Sequence, residues 1–251
     1  MFPLILTILA AITPALLLIT YFAANHRFPQ PRQVIWTTFI LGVVAVVPVT
    51  VLEVQIHGLL TDLVRDPVRF AFYKSFLAFA LPEEIMKFLV LRFYCMRMAP
   101  FAVPKDGLVY GATVSLGFST FESVFYFAAA GPSWYLVVMR GLMAVPMHAA
   151  VGTIMGLALV YLRPARARGR KPAAAANQGI VYALALGVPI VFHGLYNFFL
   201  LLPPYVPATS LFRRVHGPEP AIVIAILAAT TAFMLFRRLS VRLGIQAPGA
   251  V

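Results

Sequence analysis

The stretch 71–93, AFYKSFLAFALPEEIMKFLVLRF, decides how this chain is to be read. It is long and apolar enough to cross a bilayer as a helix, which takes about 20 residues. Yet it carries Glu83, Glu84 and Lys87 near its middle. A charged side chain at the bilayer centre costs about 2.5–3.5 kcal/mol on insertion scales, so residues placed there are candidates for function. The rest of the chain supports a membrane setting. Of 251 residues, 61% are hydrophobic and 11% charged, against about 25% charged in a soluble domain. Mean hydropathy is +0.89. Too few polar side chains remain to cover a soluble globule, and a disordered chain is excluded on the same ground. The single Cys95 rules out a disulfide framework and a Cys-rich metal site.

Working outward from 71–93, seven stretches qualify as spans: 3–24, 35–59, 71–93, 107–129, 135–161, 179–202 and 219–237. An eighth helix, interfacial and near 61–69, is the alternative count. Strand-like alternation is absent. The expected fold is therefore all-α, a polytopic membrane protein of one domain over 1–251. The first stretch lacks a basic n-region and a clean cleavage site and reads as a retained anchor. The net charge of +12 does not imply nucleic acid, because the basic residues cluster between apolar runs. With the N-terminus outside and the C-terminus inside, 13 of the 20 Lys and Arg residues fall on the inner side, five of them in Arg163–Lys171. Residues 163–178 read as a flexible cytoplasmic loop. Trp134, Tyr135 and Tyr205 read as interfacial anchors.

Four successive spans carry polar residues at a common depth. At about 1.5 Å rise per residue, Glu83 lies roughly 15 Å from the inner end of its helix. Glu122, His148 and His193 lie roughly 21 Å from theirs. The four therefore fall within about one helical turn of one level, which predicts a shared polar cavity. Glu83 and Lys87 are i,i+4 and share a face, as do His193 and Asn197. His148, Gly152 and Gly156 share another, where the glycines admit a close neighbouring helix. Glu84 is turned about 100° from Glu83. Two adjacent carboxylates repel in a low dielectric and Lys87 opposes that repulsion. One carboxylate can then stay ionised as a base while another group carries a proton. Pro82 is expected to kink the helix just before them. Outside this set, Arg140 reads as a snorkelling residue near an outer end. Glu53 and His57 read as an interfacial pair, and Met143 and Met147 as core or lipid contacts.

Such a set activates water in one of two ways. A glutamate acts as general base while His and Asn donate to the oxyanion. Alternatively, His148, His193 and Glu122 hold Zn²⁺, and the metal activates the water. Both predict hydrolysis within the membrane. Other intramembrane protease chemistries lack their residues: there is no His-Glu-x-x-His, no Asp in any expected span, and no nucleophile motif at Ser115 or Ser119. A proton-coupled carrier or a non-cutting receptor is the alternative from another class, since mid-membrane Glu and His also serve proton relays.

In order along the chain, Glu83-Glu84-x-x-Lys87, Phe118-x-x-x-Glu122, His148-x-x-x-Gly152 and His193-x-x-x-Asn197 resemble the four motifs of the PrsW family of intramembrane proteases. That family is similar to the CAAX prenyl protease and bacteriocin-processing clan. The resemblance covers roughly 80–200, within a motif-bearing core of 71–202. It implies a multi-helix fold around a conical membrane cavity in a bacterial cytoplasmic membrane. It also implies hydrolysis of a peptide bond in a single-span membrane protein, an anti-sigma factor cut on its extracytoplasmic side. By position, Glu83 is the water-activating base and Glu84 its partner. Glu122 helps hold the water, and His193 with Asn197 forms the oxyanion site. His148 orients the site or binds a metal, with Lys87 and Gly152 in support. The wider clan has His where this chain has Glu122. A third acid suits a metal-free glutamic mechanism, the one expected here, but also suits Zn²⁺.

Overall fold

The computed structural model describes residues 4–24, 30–98, 101, 104–130, 133–160, 176–202 and 217–242. Among them the chain forms seven helical rods and no strand. These are α1 (Leu4–Ala24), α2 (Arg32–Leu63), α3, α4 (Pro104–Ala130), α5, α6 (Ala176–Leu201) and α7 (Pro218–Arg242). Rod α3 is continuous but mixed: α-helical Pro67–Tyr73, π-helical Lys74–Ala80, α-helical Leu81–Val90 and π-helical Leu91–Cys95. Rod α5 joins Trp134–Met139 to Val145–Val160 through a π-helical Arg140–Ala144.

The ends of the rods differ from the sequence expectation in an informative way. α2 runs on to Leu63 and α3 begins at Pro67, so only residues 64–66 are non-helical between them. No separate interfacial helix forms at 61–69. Asp66 caps α3 by accepting from the Arg69 N–H at 2.8 Å, and Pro67 occupies the first helical position. Ser133 caps α5 in the same way, accepting from Leu136 N–H. The longer helices bring Asp62 into the last turn of α2 and Asp106 into the first turn of α4; Asp106 is buried against Gln30, whose Nε2 donates to it. Residues 163–175 and Tyr205 lie outside the described residues, while 176–178 open α6.

Among the described residues, four helices are long and apolar enough to cross a membrane: Arg32–Leu63, Trp134–Val160, Gln178–Leu201 and Pro218–Arg238; Ile8–Phe22 is a shorter apolar helix. Their outward faces are apolar, with Val44, Val47 and Val51 of α2 and Ile226 and Phe233 of α7 exposed. That is the reverse of a soluble surface and suits a lipid solvent.

α4 is the axis of the bundle, buried along most of its length. Its neighbours approach closely because both partners lack bulk at the crossing. A Cβ on Gly111 would strike the Gly152 carbonyl, and one on Gly156 would strike the Gly107 carbonyl. Against α2, a Cβ on Gly42 would meet the Val114 carbonyl, and one on Gly117 would meet that of Phe39. With no hydrophobic drive between helices in lipid, such close packing is what holds them. Gly152 therefore brings α5 against α4 one turn from His148.

The π-helical turn in α5 sets a register that 3.6-residue counting misses. Arg140 and His148 are eight residues apart, which in a regular helix leaves them about 80° out of line. A π turn closes i→i+5 and takes up one extra residue, roughly 100° of rotation. The two side chains are thereby brought close to one face.

Candidate active site

The four expected polar positions meet inside the bundle. Lys87 Nζ is the centre. It donates to Glu83 Oε2 at 3.1 Å and Glu84 Oε1 at 2.9 Å, and lies 3.1 Å from His148 Nδ1. Its ammonium also sits 4.3 Å from the Phe118 ring centroid, a cation–π contact on the first residue of the Phe118-x-x-x-Glu122 motif. Lys87 is fully buried, as is Glu84. His193 Nδ1 lies 2.8 Å from Glu84 Oε1, and the two imidazoles meet edge-on with centroids 4.9 Å apart.

These contacts determine the histidine tautomers. A lysine ammonium only donates, so His148 Nδ1 must accept and Nε2 carries the hydrogen. That Nε2 faces Glu122 Oε2 at 3.1 Å. An ionised carboxylate only accepts, so His193 donates from Nδ1 to Glu84. Its Nε2 lies 3.9 Å from Glu83 Oε1. Each histidine is thus held by a glutamate through one nitrogen and turns the other toward the Glu83 region.

Beside the buried cluster lies a cavity of about 230 Å³. Its walls are Val46, Thr50 and Glu53 of α2, Phe79 and Glu83 of α3, and Phe118, Glu122, Phe125, Tyr126 and Ala129 of α4, with Asn197 of α6. Glu84, Lys87, His148 and His193 sit behind that wall. Glu83 belongs to both regions, lining the cavity and accepting from Lys87.

Donor atoms of Glu83, Glu84, His148 and His193 all lie within 4.8 Å of one another. This is a different set from the His148, His193 and Glu122 expected for a metal. Glu122 stands outside it, its Oε2 shared between His148 and Arg140. The four donors fit a Zn²⁺ ion in type and number. One further oxygen, Glu84 Oε2, is buried without a partner.

Two residues contradict their sequence reading. Arg140 does not snorkel: it is 8% exposed, and its Nη2 donates to Glu122 Oε2 at 2.8 Å. Glu53 is not one half of an interfacial pair, since it faces the cavity while His57 is exposed and packs on Phe70. A signal for Glu53 existed, because Val46, Thr50 and Glu53 fall on one helical face. Met143 and Met147 are core, as expected.

The sequence model of the PrsW family, described as "PrsW family intramembrane metalloprotease", matches residues 30–232. Protease PrsW of Bacillus subtilis (strain 168) is 33% identical over 192 residues, which are 76% of this chain and 81% of that relative. Protease PrsW of Oceanobacillus iheyensis is 30% identical over 191 residues, with the same coverage. That of Geobacillus kaustophilus is 30% identical over 193 residues, 76% of this chain and 78% of the relative. No solved structure matches the chain. The carrier alternative falls with these matches. Four ordered motifs, their convergence on one buried cluster beside a cavity, and this similarity over three-quarters of the sequence make the chain a member of the PrsW family, an integral membrane protein and an intramembrane protease.

Proposed function

We propose that the protein hydrolyses a peptide bond of a single-span membrane protein at Glu83, by a glutamate-activated water. The observation that carries this is that, of the four clustered donors, Glu83 alone also lines the cavity. Of the three carboxylates that line the cavity, Glu53, Glu83 and Glu122, Glu83 is the one held by Lys87 and joined to the buried cluster. Glu83 would take the proton of the attacking water. Asn197, on the same cavity wall, would donate to the developing oxyanion. Glu84 and Glu122 would hold His193 and His148 in their tautomers, as the orienting carboxylate does in a catalytic triad. Lys87 would keep the glutamates from repelling one another out of position. The aromatic walls at Phe79, Phe118, Phe125 and Tyr126 suit apolar side chains of a membrane segment.

The cavity walls lie toward the 63–67, 130–133 and 201 ends of the helices. With seven spans and the basic segments inside, those ends are extracytoplasmic. Cleavage is then expected near the outer face, as for an anti-sigma factor released by regulated proteolysis. Cys95 is buried and is the only native cysteine. Single cysteines introduced at Ala167 and Ser210 therefore report the orientation by maleimide labelling of intact cells: the cysteine at Ser210 labels and the one at Ala167 does not.

A second reading rests on the four-donor group and the orphan Glu84 oxygen. Glu83, Glu84, His148 and His193 would hold Zn²⁺, which when bound supplies Lewis-acid activation of the water and the scissile carbonyl. Lys87 now contacts three of those four residues and would have to release them. The test is cleavage of a panel of single-span substrates by the purified protein in lipid vesicles, with and without chelator, beside Glu83→Gln. Cleavage that survives chelation and is lost in the variant supports the metal-free mechanism. Cleavage lost to chelator and restored by Zn²⁺ supports the metal. No cleavage of any single-span substrate, with the variant indistinguishable, overturns the proposed substrate class.

A further inference from the structure

Arg140 lies outside all four motifs, and its surroundings give it a task. Its guanidinium is held by three residues of α4. Nε donates to Ser123 Oγ at 2.8 Å, Nη2 donates to Glu122 Oε2 at 2.8 Å, and the plane sits 4.5 Å from the Tyr126 ring centroid. Glu122 Oε2 is also the oxygen that faces His148 Nε2. A single oxygen therefore receives Arg140 from one side and the imidazole from the other. The far side of that imidazole is Nδ1, which points at Lys87 and, past it, at Glu83 and Glu84. An unbroken polar chain thus runs Arg140, Glu122, His148, Lys87, Glu83.

Such a chain needs its outer end fixed. Glu122 is flanked on its own helix by uncharged residues from Gly107 to Ala130, and it lines a cavity rather than bulk water. A partly buried carboxylate stripped of its cation loses the partner that fixes its orientation and rearranges. Its oxygen would no longer be obliged to accept from His148 Nε2, and the imidazole could turn or change tautomer. Arg suits the position better than Lys, because the planar guanidinium reaches Ser123 and Glu122 through separate N–H groups and stacks on Tyr126. The π-helical turn Arg140–Ala144 serves the same end by bringing Arg140 into line with His148.

We infer that Arg140 is a positioning residue of the active site. Through Glu122 it fixes the Nε2–H tautomer and the orientation of His148, and so presents Nδ1 to the cluster around Glu83. This rests on the proposed protease reading. It predicts that the charge pair, rather than either residue alone, is what matters.

The test has two arms. In lipid vesicles, Arg140→Ala should lower kcat about 10–100-fold with KM nearly unchanged, the usual range for a partner that orients a working histidine. Arg140→Lys should fall between it and the parent. Glu122→Gln alone leaves the guanidinium without its anion. The double variant Arg140→Ala/Glu122→Gln removes charge and counter-charge together and keeps an amide oxygen for His148. It should be more active than Arg140→Ala. Additive losses in this cycle, or a loss carried by KM, would overturn the inference.

The second arm needs no substrate. Histidines labelled with ¹⁵N report the tautomer by solid-state NMR, with His148 assigned by its absence in His148→Ala. The parent should show Nε2 protonated and Nδ1 bare. Arg140→Ala, folded by its thermal unfolding profile, should lose that single state, and the double variant should regain it. An unchanged His148 tautomer in Arg140→Ala would sink the proposal even if activity fell. Should the protein cleave nothing, the tautomer result still decides the role of Arg140, so failure of the protease reading and failure of this inference stay separate.

Discussion

The same two helices, α4 and α5, are joined in two different ways along their length. Toward the 104 and 160 ends the contact is steric. Gly107, Gly111 and Ser115 lie against Gly152 and Gly156, with no room for an added Cβ. Toward the other ends it is ionic, through Arg140, Glu122, Ser123 and His148. The first half has no freedom and needs none. The second leaves the α4 side facing a cavity and uses charged groups to hold single atoms in place. A close-packed junction of small residues fixes where the helices are, and the ionic junction beyond it then holds single atoms in place. Positioning and chemistry are thus segregated along one helix pair.

The sharpest way to break the comparison is at the point where the ionic half meets the cavity. Glu83→Gln should reduce cleavage about 10²–10⁴-fold, the range for loss of a general base, while thermal unfolding in detergent stays near the parent's. A Gln that cleaves normally would remove Glu83 from the chemistry. Next is the centre of the cluster. Lys87→Met leaves Glu83 and Glu84 together without a cation, and breaking a buried pair this way costs about 3–5 kcal/mol. We expect a large drop in unfolding temperature together with loss of activity.

The steric half should fail differently. Gly111→Val inserts a side chain into the Gly152 backbone, where overpacking costs about 1–3 kcal/mol, occasionally more. Stability and activity should fall together, since separating the helices also draws His148 away from Lys87. Gly58→Ala, where an added Cβ meets nothing within 4 Å, is the matched control and should be silent. Smallest of all, His57→Ala at an exposed position of α2 should change stability by no more than about 0.5 kcal/mol and leave cleavage intact. A strong effect there would mean that the C-terminal end of α2 joins the site beyond Glu53.

The helical rods and the convergence of Glu83, Glu122, His148 and His193 were legible in the sequence, because hydropathy and the 1.5 Å rise are local properties. Gly152 and Gly156 likewise announced a close crossing. Arg140 was not legible. Its partner lies on a different helix, and the π turn that aligns it with His148 leaves no mark in 3.6-residue counting. Glu53 was paired with His57 on spacing alone, while the real determinant was which face of α2 meets α3 and α4. The group of clustered donors, Glu83, Glu84, His148 and His193, differs from the expected His148, His193 and Glu122 for a similar reason: spacing gives the level of each donor along its helix, but not which oxygen Arg140 has already taken.

The pairing within α3 has a consequence for how the protein is made. Glu83, Glu84 and Lys87 lie within five residues, and the lysine reaches both carboxylates across i,i+3 and i,i+4. A nascent segment leaving the ribosome can satisfy these contacts alone, before α4, α5 or α6 exists. It enters the bilayer with one net negative charge where two acids stripped of their lysine would bring two, each charged group there costing about 2.5–3.5 kcal/mol. Glu122 has no such help within its own helix. Its cation arrives only when Arg140 follows, 18 residues later, which ties the insertion of α4 to that of α5 and makes the two a single unit of biogenesis.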